Sequence, residues 1–443
     1  MNKFMPSLIL TILGMFALDG MASTMPDRWV FEELAASEGM LVPNALTDDG
    51  IVGGVAYLPD GQRPFIKQDD TLYLFTEAPV NMDIFPINED GLGLAADRSS
   101  GRVFRYSTSG LEELTTLNNT PGVAIALAGF DAQGNFAGHY QDQANGFTAF
   151  AWNEVTGVEI ILDDKLISLV TDINRQGAVL GHGYNTPSDV SKCFIYENGE
   201  RRDFEDAVPD VMTTVMINNL NQALVLVQPA NTPSQLSYRL VDTSDFSSVE
   251  INSFSNDSSI VGTLINDLGQ AAFASGGGDE PAAVDLWSPG KPLVRLLTLE
   301  NTAGLRLEEF TDSGTVRAHR FEGPGYNTKV FLASVESGQL NLNQRVVGYA
   351  EDEFMTVLST ALTNDGRLTV SFLRESDTQV RHGMFVPAKP GDVDGNGSVD
   401  VEDVLAIVSA WGPRPLNSVC GPDLDMNGLV DVSDLLETLD AWQ

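Results

Sequence analysis

The sequence predicts an all-β propeller followed by a small α-helical calcium module. Three observations predict it. A turn-and-strand pattern recurs between residues 46 and 370, its turns 41 to 52 residues apart. Turn formers are abundant, with 41 Gly and 21 Pro, which suits short strands better than long helices. An acidic twelve-residue loop then occurs twice near the carboxyl end.

Hydrophobic residues make up 43% of the 443 positions, enough for a buried core, which excludes a mainly disordered or fibrous chain. Lys and Arg number 25 against 62 Asp and Glu, a net charge of −37. Such a field repels phosphate backbones and anionic lipid, so nucleic acid is not expected as a partner and anionic membrane surfaces are poor ones, while cations are attracted. Two cysteines, Cys193 and Cys420, make neither a disulfide scaffold nor a zinc site. They read equally as two separate thiols or as one bridge.

At the amino end Lys3 precedes the apolar run Leu8–Leu18, and Gly20-Met21-Ala22 supplies small residues for cleavage. The pattern predicts a signal peptide over 1–22, cut after Ala22, and hence an exported protein. The apolar run is too short to span a bilayer, and no later segment is long and apolar enough to do so.

The repeats occupy the predicted propeller domain, residues 23–388. They read LTDDGIVGG (46–54), INEDGLGLA (87–95), FDAQGNFAG (130–138), INRQGAVLG (173–181), INNLNQALV (217–225), INDLGQAAF (265–273), FTDSGTVRA (310–318) and LTNDGRLTV (362–370). Asn or Asp caps its own backbone in such a turn, and Gly (Asn at 221) accepts a positive φ. The alternating run after each turn predicts a half-buried strand. A second strand follows, carrying Phe65, Phe104, Phe150, Phe194, Tyr238, Leu286, Phe331 and Phe385. A looser one comes after it, such as 158–162 and 293–297. Trp152 and Trp287 read as packing residues of these units. Units of this length repeated around an axis predict a propeller of eight blades, alternatively seven. Residues 23–49 and 367–389 are each about half a repeat, so the amino-terminal strand is expected to complete the last blade. The copies resemble the extracellular bacterial propeller repeats called HAF repeats, a likeness that implies architecture and no chemistry.

Residues 391–443 carry the most specific motif. DVDGNGSVDVED (392–403) and DLDMNGLVDVSD (423–434) align without a gap. Side-chain oxygens fall at loop positions 1, 3, 5, 9 and 12: Asp392, Asp394, Asn396, Asp400 and Asp403, then Asp423, Asp425, Asn427, Asp431 and Asp434. Ser398 and Leu429 offer backbone carbonyls at position 7, and Gly397 and Gly428 make the sharp turn. Calcium takes six to eight hard oxygens, so two Ca²⁺ ions are expected. Val401, Val404, Leu405, Val408 and Trp411 recur as Val432, Leu435, Leu436, Leu439 and Trp442, predicting one apolar helix face per copy. The two faces are expected to pack on each other and bury both tryptophans. PAKPG (387–391) is too short for a swinging tether, which predicts a module seated close to the propeller.

These two loop-plus-helix copies resemble dockerin type I, with its EF-hand-like loops and Asp at position 12. The resemblance implies a module that docks onto a cohesin-like domain or another cell-surface protein. Positions 10 and 11, where dockerins carry Ser/Thr, are Val401-Glu402 and Val432-Ser433 here, so the partner stays open.

The function expected is a secreted bacterial calcium-binding protein whose propeller is a binding or scaffold surface. The alternative is a carbohydrate-active enzyme, a glycoside hydrolase or polysaccharide lyase, acting on a polysaccharide in the propeller channel. No catalytic residue is singled out: no sialidase-type Asp box, G-x-S-x-G or H-E-x-x-H occurs. His139, His182 and His319 each follow a turn glycine by five residues. They read as a repeat-consensus polar position ahead of a metal ring, and His382 stands apart.

Overall fold

In the computed structural model, the described residues are 25–442 apart from 27, 35–38, 98–99, 118–124, 143–145, 163–166, 185–191, 207, 230, 233, 256–259, 278–279, 300–304, 323–326, 348, 350–353, 375–379 and 415–420. The predicted signal segment and Cys420 lie outside them. Cys193 is buried with a free thiol, and burial pushes that thiol up.

The first seven repeats each fold into four antiparallel strands in chain order. The third is representative: Ile125–Phe130, Phe136–Asp142, Gly146–Asn153 and Gly157–Leu162. It is joined to the next four strands by a parallel contact of Phe147 with Ile167. The other repeats form separate four-stranded sheets. Such sheets succeeding one another around a common axis are propeller blades.

The predicted turns lie between the first and second strands. All eight turn residues adopt positive φ: Gly50, Gly91, Gly134, Gly177, Asn221, Gly269, Gly314 and Gly366. Gly177 is also confined by contact, since a Cβ there would sit 2.9 Å from Asp131 Oδ2 of the preceding repeat. Asn221, at φ 57°, shows that an Asn backbone can hold the same conformation.

The apolar cores lie between consecutive sheets. Phe136, Phe150 and Trp152 pack with Leu94 and Val103 of the sheet before. Leu224, Tyr238 and Phe273 fill a later junction. Leu41, Val52 and Phe65 of the first sheet meet Leu34 and Met384 of the last. Each fully buried Phe or Leu contributes roughly 1.5–3 kcal/mol, so stability is spread around the circle. The predicted aromatic column from Phe65 to Phe385 lies in the third strand of every sheet and is buried throughout.

The last sheet is made of Phe354–Leu362, Leu368–Arg374, Val380–Pro387 and, at its edge, the amino-terminal strand Trp29–Glu33. Trp29 pairs with Pro387 and Glu33 with Gly383. The Trp29 indole, fully buried, donates to the Gly366 carbonyl at 2.8 Å. The two ends of the propeller region thus meet in one sheet, as the half-repeat lengths predict.

Two helices follow, α1 (Val401–Ser409) and α2 (Val432–Ala441). The expected burial of their apolar faces does not occur. Trp411 is 53% exposed and Trp442 43%, while Leu405 and Leu436 are 58% and 59% exposed. The inner faces carry Asp403 and Ile407 on α1, and Asp434 and Thr438 on α2, all fully buried. The last loop ligand must face its own loop, and the residue four further lies on the same side. Leu405 and Leu436 come two residues after that ligand, about 200° around the helix, and so face outward. The small core of this module is Val393, Ile407, Leu424 and Val430, flanked by Leu435.

Candidate metal centre and axial cavity

Each acidic loop brings three carboxylates together. Ligand oxygens of Asp392, Asp394 and Asp403 lie within 4.8 Å of one another, as do those of Asp423, Asp425 and Asp434. The residues at positions 1 and 12 are buried and those at position 3 exposed. Backbone N–H groups shape each loop. Asp392 Oδ2 accepts from Gly397 N at 2.9 Å, and Asp403 Oδ1 from Val393 N at 2.7 Å. Asp434 Oδ1 accepts from Leu424 N at 2.6 Å.

The other predicted side-chain ligands make local contacts. Asp400 and Asp431 are the N-caps of α1 and α2, each accepting from the backbone two residues on. Asn396 and Asn427 donate to Asp394 and Asp425 and accept from the N–H of Ser398 and Leu429.

The donor set fits a hard dication. Burial pushes the Asp392 and Asp423 carboxyls above the ordinary carboxylate range, and the neighbouring aspartates add to it. Asp423 Oδ1 is buried with no hydrogen-bond partner, although Arg414 lies 3.6 Å from Oδ2. An unpartnered anionic oxygen beside two further carboxylates is where a cation belongs.

The second feature is an axial cavity of about 470 Å³, lined by the ends of the first strands and by the turns that follow them. Its polar lining is built by the turn asparagines. Asn218 Oδ1 accepts from Leu220 N and Gln222 N, closing its own turn, while its Nδ2 donates to the Asn266 carbonyl of the next sheet at 3.0 Å. Asn174 and Asn266 do the same towards Asn218 and Thr311. A carboxamide suits this position because it offers acceptor and donor together.

The following position forms a second chain of contacts. Asn364 N donates to Asp48, Ser313 N to Asn364, Asp267 N to Asp312, Asn219 N to Asp267 and Arg175 N to Asn219. Ala132 is small, and Arg175 reaches over it to Glu89 and Asp90, both at 2.8 Å. Burial pushes Glu89 up; Arg175 opposes this, and Asp267, Asp48 and Asp312 add to it. Asp312 is likewise raised by burial. Deeper in, Glu309 is surrounded by protein but keeps 32% of its side chain open to the cavity. Burial pushes its carboxyl to about 7 despite Arg317 at 3.2 Å. The signal for all but Glu309 was the position after the first turn residue (Asn, Asp or Thr), which runs Asp, Glu, Ala, Arg, Asn, Asp, Asp, Asn through the eight repeats.

The histidines form no common metal ring among the described residues. His139, His182 and His319 do occupy equivalent places on second strands. His319, however, accepts from Arg317 Nη1 at 3.3 Å, and burial with that guanidinium lowers it to about 3. Burial also lowers His139 and His182, so all three are neutral at pH 7. His382, on a third strand, shares a hydrogen bond with Ser371 at 2.7 Å.

Fold and site together define a propeller protein carrying a compact acidic two-loop module. No known family matches the chain, nor does any curated protein. Solved structures do. Dipeptidyl peptidase 4 from Porphyromonas gingivalis is 12% identical, with a TM-score of 0.51 over 82% of this chain and 60% of that one. The β-propeller domain of the trilobed protease from Pyrococcus furiosus is 11% identical, with a TM-score of 0.43 over 70% of this chain and 99% of that one. Virginiamycin B lyase from Staphylococcus aureus is 11% identical, with a TM-score of 0.41 over 81% of this chain and 99% of that one. At these identities the likeness is one of fold alone.

Proposed function

We propose that this chain is an exported calcium-binding protein in which an eight-bladed propeller is a binding scaffold and a dockerin-like module attaches it to a partner protein. Calcium binds once in each loop, with Asp392, Asp394 and Asp403 in the first and Asp423, Asp425 and Asp434 in the second. The observation that carries the reading is the outward face beside the loops. Val401, Leu405, Val408 and Trp411, with their copies Val432, Leu436, Leu439 and Trp442, are 43–59% exposed. Apolar residues repeated on one side of two helices suit docking onto a folded protein surface, such as a cohesin-like domain. Calorimetry on the whole protein tests the metal half: two calcium ions per chain are expected, and no uptake would refute it. Capture by an immobilised cohesin domain in calcium, and its loss in chelator, tests the docking half.

A second reading is a carbohydrate-active enzyme, and Glu309 is the observation that favours it. A carboxyl held near 7 at the wall of a cavity that also contains Asp312 has the character of a general acid. Among the described residues the cavity's aromatic lining is Phe130 and Phe310, which gives little stacking surface for a sugar. Reducing-end release from a panel of plant and algal polysaccharides, lost in Glu309→Gln, would replace the scaffold reading.

A further inference from the structure

The contact between the module and the amino-terminal strand has a chemistry of its own. Arg28 immediately precedes that strand and is 5% exposed. Its Nη1 donates to the Gly421 carbonyl at 2.9 Å and its Nη2 to the Asp392 carbonyl at 3.3 Å. Asp392 opens the first metal loop, and Gly421 lies two residues before the second. One guanidinium therefore joins the first residue of one loop to the segment that leads into the other. Its own backbone carbonyl accepts from Ala388 N at 2.9 Å, just past the strand Val380–Pro387 of the propeller. Gly395 of the first loop also lies against Val30 and Val347, which a Cβ there would approach to 3.3 and 3.2 Å.

We infer that calcium loading of the two loops and closure of the propeller by the strand Trp29–Glu33 are one coupled equilibrium, with Arg28 as the link. The inference rests on the calcium reading above. A buried guanidinium is tolerated only while acceptors face it. The two carbonyls are fixed in place by the folded loops, in which Asp392 also holds the N–H groups of Gly395 and Gly397. Loops crowded with carboxylates hold that shape when a dication neutralises them. Metal loss lets the loops open, moves these two carbonyls away from Arg28, and favours release of the strand that follows it. Linkage makes the effect reciprocal: a closed ring tightens calcium binding by the factor by which calcium tightens the ring.

The test is amide hydrogen exchange of the whole protein in calcium and in a calcium chelator, with calorimetry on the same samples. Chelation should speed exchange of the Val30–Glu33 amides about tenfold, within the usual range of such couplings, and leave Gln222–Val227 unchanged. Arg28→Met should erase that difference and weaken calcium affinity by a similar factor, with Arg28→Lys between. The wild-type comparison stands even if Arg28→Met folds poorly. Calcium uptake with unchanged exchange at Val30–Glu33 overturns the coupling and leaves the calcium reading intact. No uptake overturns both. A folded Arg28→Met variant that keeps the full calcium response removes Arg28 as the link.

Discussion

Asn218 Nδ2 donates to the main-chain carbonyl of Asn266 at 3.0 Å, so a single carboxamide both closes one turn and fastens it to the next sheet. Asn218→Asp keeps the acceptor, removes the donor and buries a charge. It should lower stability by about 1–3 kcal/mol, whereas Asn219→Ser, at the more open neighbouring position, should cost less. Thermal unfolding of the two variants checks the order.

The metal loops make a stoichiometric prediction. Asp403→Ala should reduce calcium uptake from two ions to one, because its carboxylate is fully buried, holds Val393 N and belongs to the first proposed calcium site. Asp440→Ala, exposed on α2, should leave both sites intact. Calorimetric titration reads the count directly.

The corrected orientation of the helices predicts unequal costs. Ile407→Ala removes a fully buried side chain and should cost about 2–5 kcal/mol of module stability. Leu405→Ser, at 58% exposure, should stay within about 0.5 kcal/mol. Equal losses would mean that the outer face is covered within the chain.

Glu309 gives the pH dependence. Its folded-state pKa of about 7 lies above the ordinary 4.5, so the folded protein holds this proton more tightly than the unfolded chain. Its contribution is favourable below the ordinary value and is lost as pH rises through about 7. Glu309→Gln should therefore flatten the fall in melting temperature between pH 5 and 7.5 relative to the wild type.

Much of the fold was legible because turns and buried aromatics leave local marks. The position held by Gly177 or Asn221 must accept positive φ, and the column from Phe65 to Phe385 must fill the space between sheets. The clustering of the loop aspartates was legible because the same residue types recur at the same spacing in both copies, 392–403 and 423–434. The helix faces were misread for a reason that the same spacing contains: Asp403 already fixes which side of α1 is inward, so Leu405 must point away. Arg175 and Glu89 were not legible because their meeting depends on Ala132 leaving room between them. Arg28 was hidden for a different reason. Its partners, the Asp392 and Gly421 carbonyls, are backbone atoms that carry no residue signature.

Pairing Trp29 with Pro387 also sets a clock on folding. On the ribosome the strand Trp29–Glu33 emerges first, and its partner follows about 350 residues later. At ordinary translation rates that is a delay of roughly 20–70 s, during which a sheet edge has nothing to pair with. Intermediate sheets can form as they emerge, since their contacts lie within about 50 residues, but the circle cannot close before the strand Val380–Pro387 has been made. Glu32 and Glu33 on that waiting edge supply the charge that discourages it from pairing with another chain.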